Sequence, residues 1–299
     1  MSDYIVAIPS YKRSENISNK TLKVLNDKGI SPKKIYIFVA NKQEERDYLK
    51  NVDNKLYNKL IVGVKGLRNQ RNFMTDYFNE GQNIVELDDD VEEMYQMVEG
   101  NDKKPSSRKL KIINNLDMLF KDAFKLCKKY GAHLWGVYPV ENPFFMSKKI
   151  TTDLRFIVGP VWGKINRHDK KFKLKLNEKE DGERTLHNYH ADKSVIRFND
   201  ITMKTSYYQT QGGMQSENKD RKKEGLKSAK YLNKKYPKYT KIWLGKKSGH
   251  PEIRMNDITD KRPRVDRYIK NKGKYYIKSR NKTIKKRKGV KKRTMKKRH

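Results

Sequence analysis

Cysteine is nearly absent from this chain of 299 residues: Cys127 stands alone. An internal disulfide is therefore excluded, and a reducing compartment is the simpler setting. A zinc site built on cysteine thiolates is excluded with it, and no HExxH pattern takes its place. Long apolar runs are missing too. No stretch of 18 apolar residues occurs, so no membrane-spanning helix is expected. The opening apolar stretch, residues 5–9, is too short and too strand-like for a secretory leader, so secretion is not expected. Finally, acid is missing from the end of the chain. The last acidic residue is Asp266, and residues 267–299 hold 17 Lys and Arg. That leaves +19 of the formal +36 net charge on residues 1–266. A body this basic repels itself unless it meets a polyanion, which makes nucleic acid the leading macromolecular partner. A general lysine bias in the source genome is the plainer alternative.

What is present is an alternation. Short β-branched runs at 4–9, 35–40, 60–64 and 83–87 read as buried parallel strands. The intervening segments are polar. All are long enough for helices: residues 15–28 end at Gly29 and residues 67–80 end at Gly81, as helices do, and the segment after 40 suits a helix that can be a short one. Strand and crossover repeated this way predict an α/β fold with a doubly wound, mostly parallel sheet. Residues 110–130 form the clearest amphipathic helix, with Ile113, Leu116, Phe120, Phe124 and Cys127 on one face. Further strands are expected at 133–137, 154–158 and 194–198, and further helices at 181–192 and 217–235. Residues 166–179 read as a basic loop or exposed hairpin. One domain over 1–266 is predicted, with a nucleotide-binding half at about 1–100 and an acceptor half at about 101–266. A basic, low-complexity tail at 267–299 is expected to be disordered when free.

Ligands of doubly wound sheets bind beyond the carboxyl ends of the strands. Pro9, Ser10 and Tyr11 fall there, with Arg13 just beyond, and so do Asp88, Asp89 and Asp90. Three adjacent carboxylates repel, and a shared divalent cation relieves that repulsion. Residues i and i+2 at a strand end point the same way, so Asp88 and Asp90 can reach one Mn²⁺ or Mg²⁺. The alternative is an acidic turn in which Asp90 caps a helix starting at Val91. Arg68, Asn69, Arg71 and Asn72 open the helix after Gly66, where a phosphate would be welcome. Glu180 and Asp181 begin a helix; they are either ordinary first-turn acids or a general base, with Asp181 favoured. His187, His190 and Asp192 make a weak metal pattern, read here as structural. His250 sits in a late loop from which it can close over a metal or diphosphate. Gly212 and Gly213 allow close backbone approach to a ligand or form a plain turn. A residue pair such as Phe144 and Phe145 can stack on a base or sugar.

In order along the chain, residues 6–13 (VAIPSYKR), 68–72 (RNQRN), the aspartates 88–90 and the pair Glu180 and Asp181 resemble the GT-A-fold glycosyltransferases. More narrowly, residues 66–72 and 247–254 (KSGHPEIR) resemble the TET-associated glycosyltransferases of phages and large DNA viruses. The resemblance implies a GT-A-like sheet with a nucleotide-sugar donor, UDP-glucose by expectation, held near Pro9, Ser10 and Tyr11. It implies Mn²⁺ or Mg²⁺ on Asp88 and Asp90, with Asp181 as base. It implies hydroxymethylated pyrimidines in DNA as acceptor, and action in the cytoplasm, virus factory or nucleus of an infected cell, or in the virion. A protein or virion glycan as acceptor, and a non-catalytic nucleic-acid-binding protein, are the alternative readings.

Overall fold

The computed structural model describes residues 3–100, 102, 104–206, 221–245 and 249–270. Its centre is a nine-stranded sheet. Four parallel strands form one half: β1 (Tyr4–Pro9), β2 (Ile35–Val39), β3 (Lys59–Val62) and β4 (Asn83–Leu87), in the spatial order β4-β1-β2-β3. Their crossovers are α1 (Thr21–Asp27), α2 (Lys42–Asn51) and α3 (Leu67–Tyr77). Local chemistry sets the boundaries. The Asn41 side chain accepts hydrogen bonds from the backbone N–H groups of Gln43 and Glu44 and so starts α2, a helix of 10 residues in the segment expected to hold one. Gly66, at φ 92°, supplies the left-handed turn that throws the chain from β3 into α3.

The other half contains β7 (Leu134–Val137), β8 (Lys149–Thr151), β9 (Val161–Ile165), β10 (Ile196–Phe198) and β14 (Tyr268–Lys270). The full order is β14-β8-β10-β7-β9-β4-β1-β2-β3. Strand β9 lies antiparallel between β4 and β7, and β8 is antiparallel to both β10 and β14. The remaining strands share one direction, so the sheet is mostly parallel and α/β as predicted. Two smaller sheets flank it. One is ordered β11-β5-β6, from β5 (Val91–Val98), β6 (Lys109–Ile112) and β11 (Ile201–Thr205); the other pairs β12 (Thr240–Trp243) with β13 (Glu252–Met255).

Alternation along β7 divides the core. Trp135 faces the larger cluster, beneath α4 (Leu116–Lys129), where Tyr4, Phe120 and Phe124 pack around it. Leu134 faces the second cluster with Trp162, Leu186, Tyr189 and Leu232, beneath α5 (Glu180–Asp192) and α6 (Arg221–Lys235). Each such buried apolar side chain stabilises the fold by roughly 1.5–3 kcal/mol. Cys127 is buried in the first cluster, as read from the helix face.

Several expectations are corrected. Residue 91 begins strand β5, so Asp90 caps no helix. Residues 109–112 are strand β6, and the amphipathic helix starts at Leu116, capped by the Asn115 side chain. Residues 154–158 carry no strand; the strand of this region is β9. Residues 267–270, read as the start of a tail, are ordered: β14 adds to the sheet edge on β8. Gly212 and Gly213, and the rest of the tail, lie outside the described residues. Among the described residues no helix is long and apolar enough to cross a membrane.

Candidate active site

The carboxyl ends of β1 and β4, the N-terminus of α3 and the N-terminus of α5 converge on one cleft of about 960 Å³. Pro9, Ser10, Tyr11 and Arg13 line it from β1, and Asp88, Asp89 and Asp90 from β4. Gly66, Gln70 and Arg71 contribute from α3, and Glu180, Asp181 and Gly182 from α5. Two helix N-termini thus border the same space, an arrangement that favours an anionic ligand.

Arg71 organises the floor. It is 2% exposed, and its guanidinium bridges Glu180 (2.9 Å) and Asp88 (3.0 Å) while also reaching the Gly159 carbonyl. Arg13 pairs with Asp89 and, at 3.3 Å, with Asp90. The three aspartates separate by strand alternation. Asp89 turns inward, is buried, and accepts hydrogen bonds from Arg13 and from the Ser10 hydroxyl, to which the Tyr48 hydroxyl also bonds. Asp88 is the most exposed of the three side chains, at 29%.

Four carboxylates, Asp88, Asp89, Asp90 and Glu180, are thus bridged by two guanidiniums, Arg13 and Arg71, and a fifth, Asp181, lines the same cleft without pairing to either. The imbalance shows in their titration. Burial, and then Asp90, Asp89 and Glu180, push the Asp88 carboxyl up to about 7 against the pull of Arg71. Asp90 is raised by burial and by Asp89. Asp181, raised by burial and by Glu180, reaches about 6 and accepts a hydrogen bond from its neighbouring Gly182 N–H. A divalent cation shared by Asp88 and Asp90 would relieve this repulsion. Among the described residues no group of three or more His, Cys, Asp and Glu is arranged to hold a metal.

The structure brings most of the expected residues together, and it reassigns some. Ser10 and Asp89 are occupied with each other and tie the end of β1 to the end of β4. Arg68, Asn69 and Asn72 do not line the cleft. Arg68 donates to the Lys175 carbonyl, Asn69 to the Lys65 carbonyl, and Asn72 exchanges two hydrogen bonds with the Leu174 backbone. Only every third or fourth residue of α3 can face the strand ends, and Gly66, Leu67, Gln70 and Arg71 take that face. His250 lines the cleft and is exposed. His187 is buried between Glu183 and Lys235, burial and Lys235 push it down to about 4, and Asp192 binds Arg167, so these groups are structural. Phe144 and Phe145 are exposed outside the cleft lining.

Residues that sequence reasoning missed complete the wall. Arg155, Phe156, Val158, Gly159 and Pro160 come from the loop between β8 and β9, with Arg197, Arg221 and Arg254 opposite or beside them. The only available signal was Gly159 followed by Pro160, a turn marker directly after the apolar run at 154–158. Lys179, at φ 64°, occupies a left-handed conformation immediately before Glu180 and Asp181, local strain of the kind that concentrates at functional sites.

No protein-family model matches the chain, and no curated protein matches it. Solved structures overlap it in part. S. aureus TarS 1–349 superposes with TM-score 0.46 at 14% identity, covering 67% of this chain, which spans 59% of that one. The same fragment in complex with UDP gives TM-score 0.45 at 14% identity with the same coverage of both chains. A 4-diphosphocytidyl-2C-methyl-D-erythritol synthase from Anaerococcus prevotii gives TM-score 0.38 at 11% identity over 69% of this chain and 92% of that one. Overlaps this low do not bear on the activity.

Proposed function

We propose that this chain is a metal-dependent nucleotide-sugar glycosyltransferase of GT-A-like architecture that acts on hydroxymethylated pyrimidines in DNA. One observation carries the reading: Asp88 and Asp90 at the end of β4 share a cleft with Asp181 at the start of α5, between two helix N-termini. Tyr11, which lines the cleft near β1, offers a ring for the donor's base. Asp88 and Asp90 would hold Mn²⁺ or Mg²⁺, which when bound neutralises charge on the departing nucleoside diphosphate. Arg71 keeps Asp88 and Glu180 in register, so the donor side and the acceptor side share one anchor. Asp181 accepts the proton of the acceptor hydroxyl as its oxygen bonds to the anomeric carbon. The bond from that carbon to the diphosphate breaks, and the nucleoside diphosphate leaves. A carboxylate titrating near 6 is ionised at neutral pH and still basic enough for this role.

DNA as the acceptor is supported by the +19 charge outside the tail and by Arg155, Arg197 and Arg254 on the cleft wall. A base in a duplex must leave the stack to reach Asp181. Such an acceptor would be met in the cytoplasm, virus factory or nucleus of an infected cell, or in the virion. The test is release of nucleoside diphosphate from a panel of UDP-sugars with Mn²⁺, with and without DNA carrying 5-hydroxymethylpyrimidines. DNA-stimulated, metal-dependent release that Asp88→Ala/Asp90→Ala abolishes is expected. Release indifferent to DNA moves the acceptor to protein or glycan, and no release with any donor overturns the reading.

A further inference from the structure

A second, much smaller cavity of about 40 Å³ lies between α3, β9, α5 and residues 167–174. Arg71 lines both it and the large cleft. Every ionisable side chain lining it is a cation: Arg71, Lys164, Arg167 and Arg184. Three of them have carboxylate partners. Arg71 holds Asp88 and Glu180, Lys164 holds Glu86 at 2.9 Å, and Arg167 holds Asp192 at 2.6 Å. Arg184 has no ion pair among the described residues. It is 4% exposed, lies 3.6 Å over the ring of Trp162, and donates one Nη2 hydrogen bond to the Ile157 carbonyl at 3.3 Å.

The unfilled groups point the same way chemically. Arg184 Nε and Nη1, Arg71 Nε and Trp162 Nε1 are all buried without a hydrogen-bond acceptor. Each is a donor. Glu180, Asp181 and Glu86 act on Arg184 through space but none bonds to it, so its buried Nε and Nη1 donors stay unfilled, a cost that something supplying acceptors would remove. Space for a small species is present, since a cavity measured this way needs only about 10–15 Å³ to hold a water. A water would bring two further donors into a cavity already rich in them, whereas an anion brings acceptors only.

We propose that this cavity is a binding site for a small monovalent inorganic anion, chloride in ordinary buffers, held by Arg184 with the indole N–H of Trp162. Burial and the neighbouring Arg71 draw the Arg184 guanidinium down to about 10, which still leaves it charged at neutral pH. The site is independent of the glycosyltransferase reading and stands or falls without it.

The full-length protein is melted in sodium chloride, sodium bromide and sodium gluconate at equal ionic strength, and crystals are soaked in bromide. A saturable Tm gain of about 2–4 °C is expected in the halides over gluconate. A bromide anomalous peak is expected within hydrogen-bond reach of Arg184 and Trp162 Nε1. Trp162→Phe keeps the ring and removes one donor, so the half-saturating chloride concentration should rise several-fold. Asn188→Asp, on the cavity wall, brings a carboxylate of its own and should abolish the halide response while raising Tm in gluconate. Equal melting in chloride and gluconate, or a bromide peak absent from this cavity, overturns the proposal. An unchanged half-saturation in Trp162→Phe overturns it too, whether or not the aspartate variant folds.

Discussion

Replacing Asp88 by Asn isolates the charge frustration at the end of β4. The fold raises this carboxyl from 3.8 to about 7, chiefly by burial and then by Asp90, Asp89 and Glu180. A carboxyl whose folded pKa lies above its unfolded value loses stability as pH rises, from about 4 up through 7. The full shift of about three units corresponds to a ceiling of about 4 kcal/mol. The side chain is 29% exposed and paired with Arg71, so solvent screening cuts the realistic figure to about 1–2 kcal/mol. Asn keeps the shape and an acceptor for Arg71 and removes the charge. In EDTA at pH 8, Asp88→Asn should therefore melt roughly 2–8 °C above wild type. The advantage should shrink as pH falls through 7 and be gone near pH 4. Mn²⁺ at pH 8 should raise the melting temperature of wild type and leave the variant where it was. Thermal melts at three pH values, with EDTA or Mn²⁺, decide it. A variant less stable than wild type at pH 8, or a gain that ignores pH, would refute the reasoning.

Asp181→Asn should lower kcat by about 10²–10⁴ without weakening donor binding, measured by turnover and by donor titration. The wild-type profile should lose activity as pH falls through about 6, where Asp181 takes up its proton. Arg71→Met strands two carboxylates, Asp88 and Glu180, and should destabilise by about 3–5 kcal/mol in denaturant unfolding, with Arg71→Lys intermediate. If DNA is the acceptor, Arg155→Ala/Arg254→Ala should reduce the slope of log affinity against log salt by about 2 in full-length protein; an unchanged slope removes these arginines from the interface.

The N-terminal half was legible because its signals are local. A β-branched run followed by a polar segment ending in Gly29 or Gly81 needs no knowledge of the rest of the chain, and β1 to β4 follow it within a residue or two. In the second half the segments 133–137, 181–192, 194–198 and 217–235 were legible as β7, α5, β10 and α6, whereas β8, β9 and the strands of the small sheets were not, because they are short and defined by distant partners. Strand β9 reads VWGKI, with Gly163 in its middle; that glycine is there because a Cβ would lie 2.3 Å from the Trp135 indole nitrogen, a contact invisible in the sequence. The site divides similarly. Asp88, Asp90 and Asp181, singled out as adjacent acids at a strand end and a helix start, do line one cleft. Asn72 and Arg68, expected at the ligand, lie outside the cleft lining, because helical phase relative to the sheet decides which side chain faces it. Arg155 and Arg197 carry no local mark at all; the path between β8 and β9 brings Arg155, and the pairing of β10 brings Arg197, to a cleft whose aspartates 88–90 are far away in sequence.

Strand β9 has a consequence for synthesis. Strand β4 pairs with β1 on one side and with β9 on the other, and β9 joins β4 to β7. As the chain leaves the ribosome, β1 to β4 can assemble from neighbours in sequence, yet β4 keeps an unpaired edge of Ile84, Val85 and Leu87 until residue 165 has emerged. At about 5–20 residues per second that interval lasts several seconds, during which an apolar edge is open to another nascent chain. The strand that closes the sheet also brings Pro160 to the Asp88 backbone, so the floor of the cleft is completed by the same late event that ends the aggregation hazard.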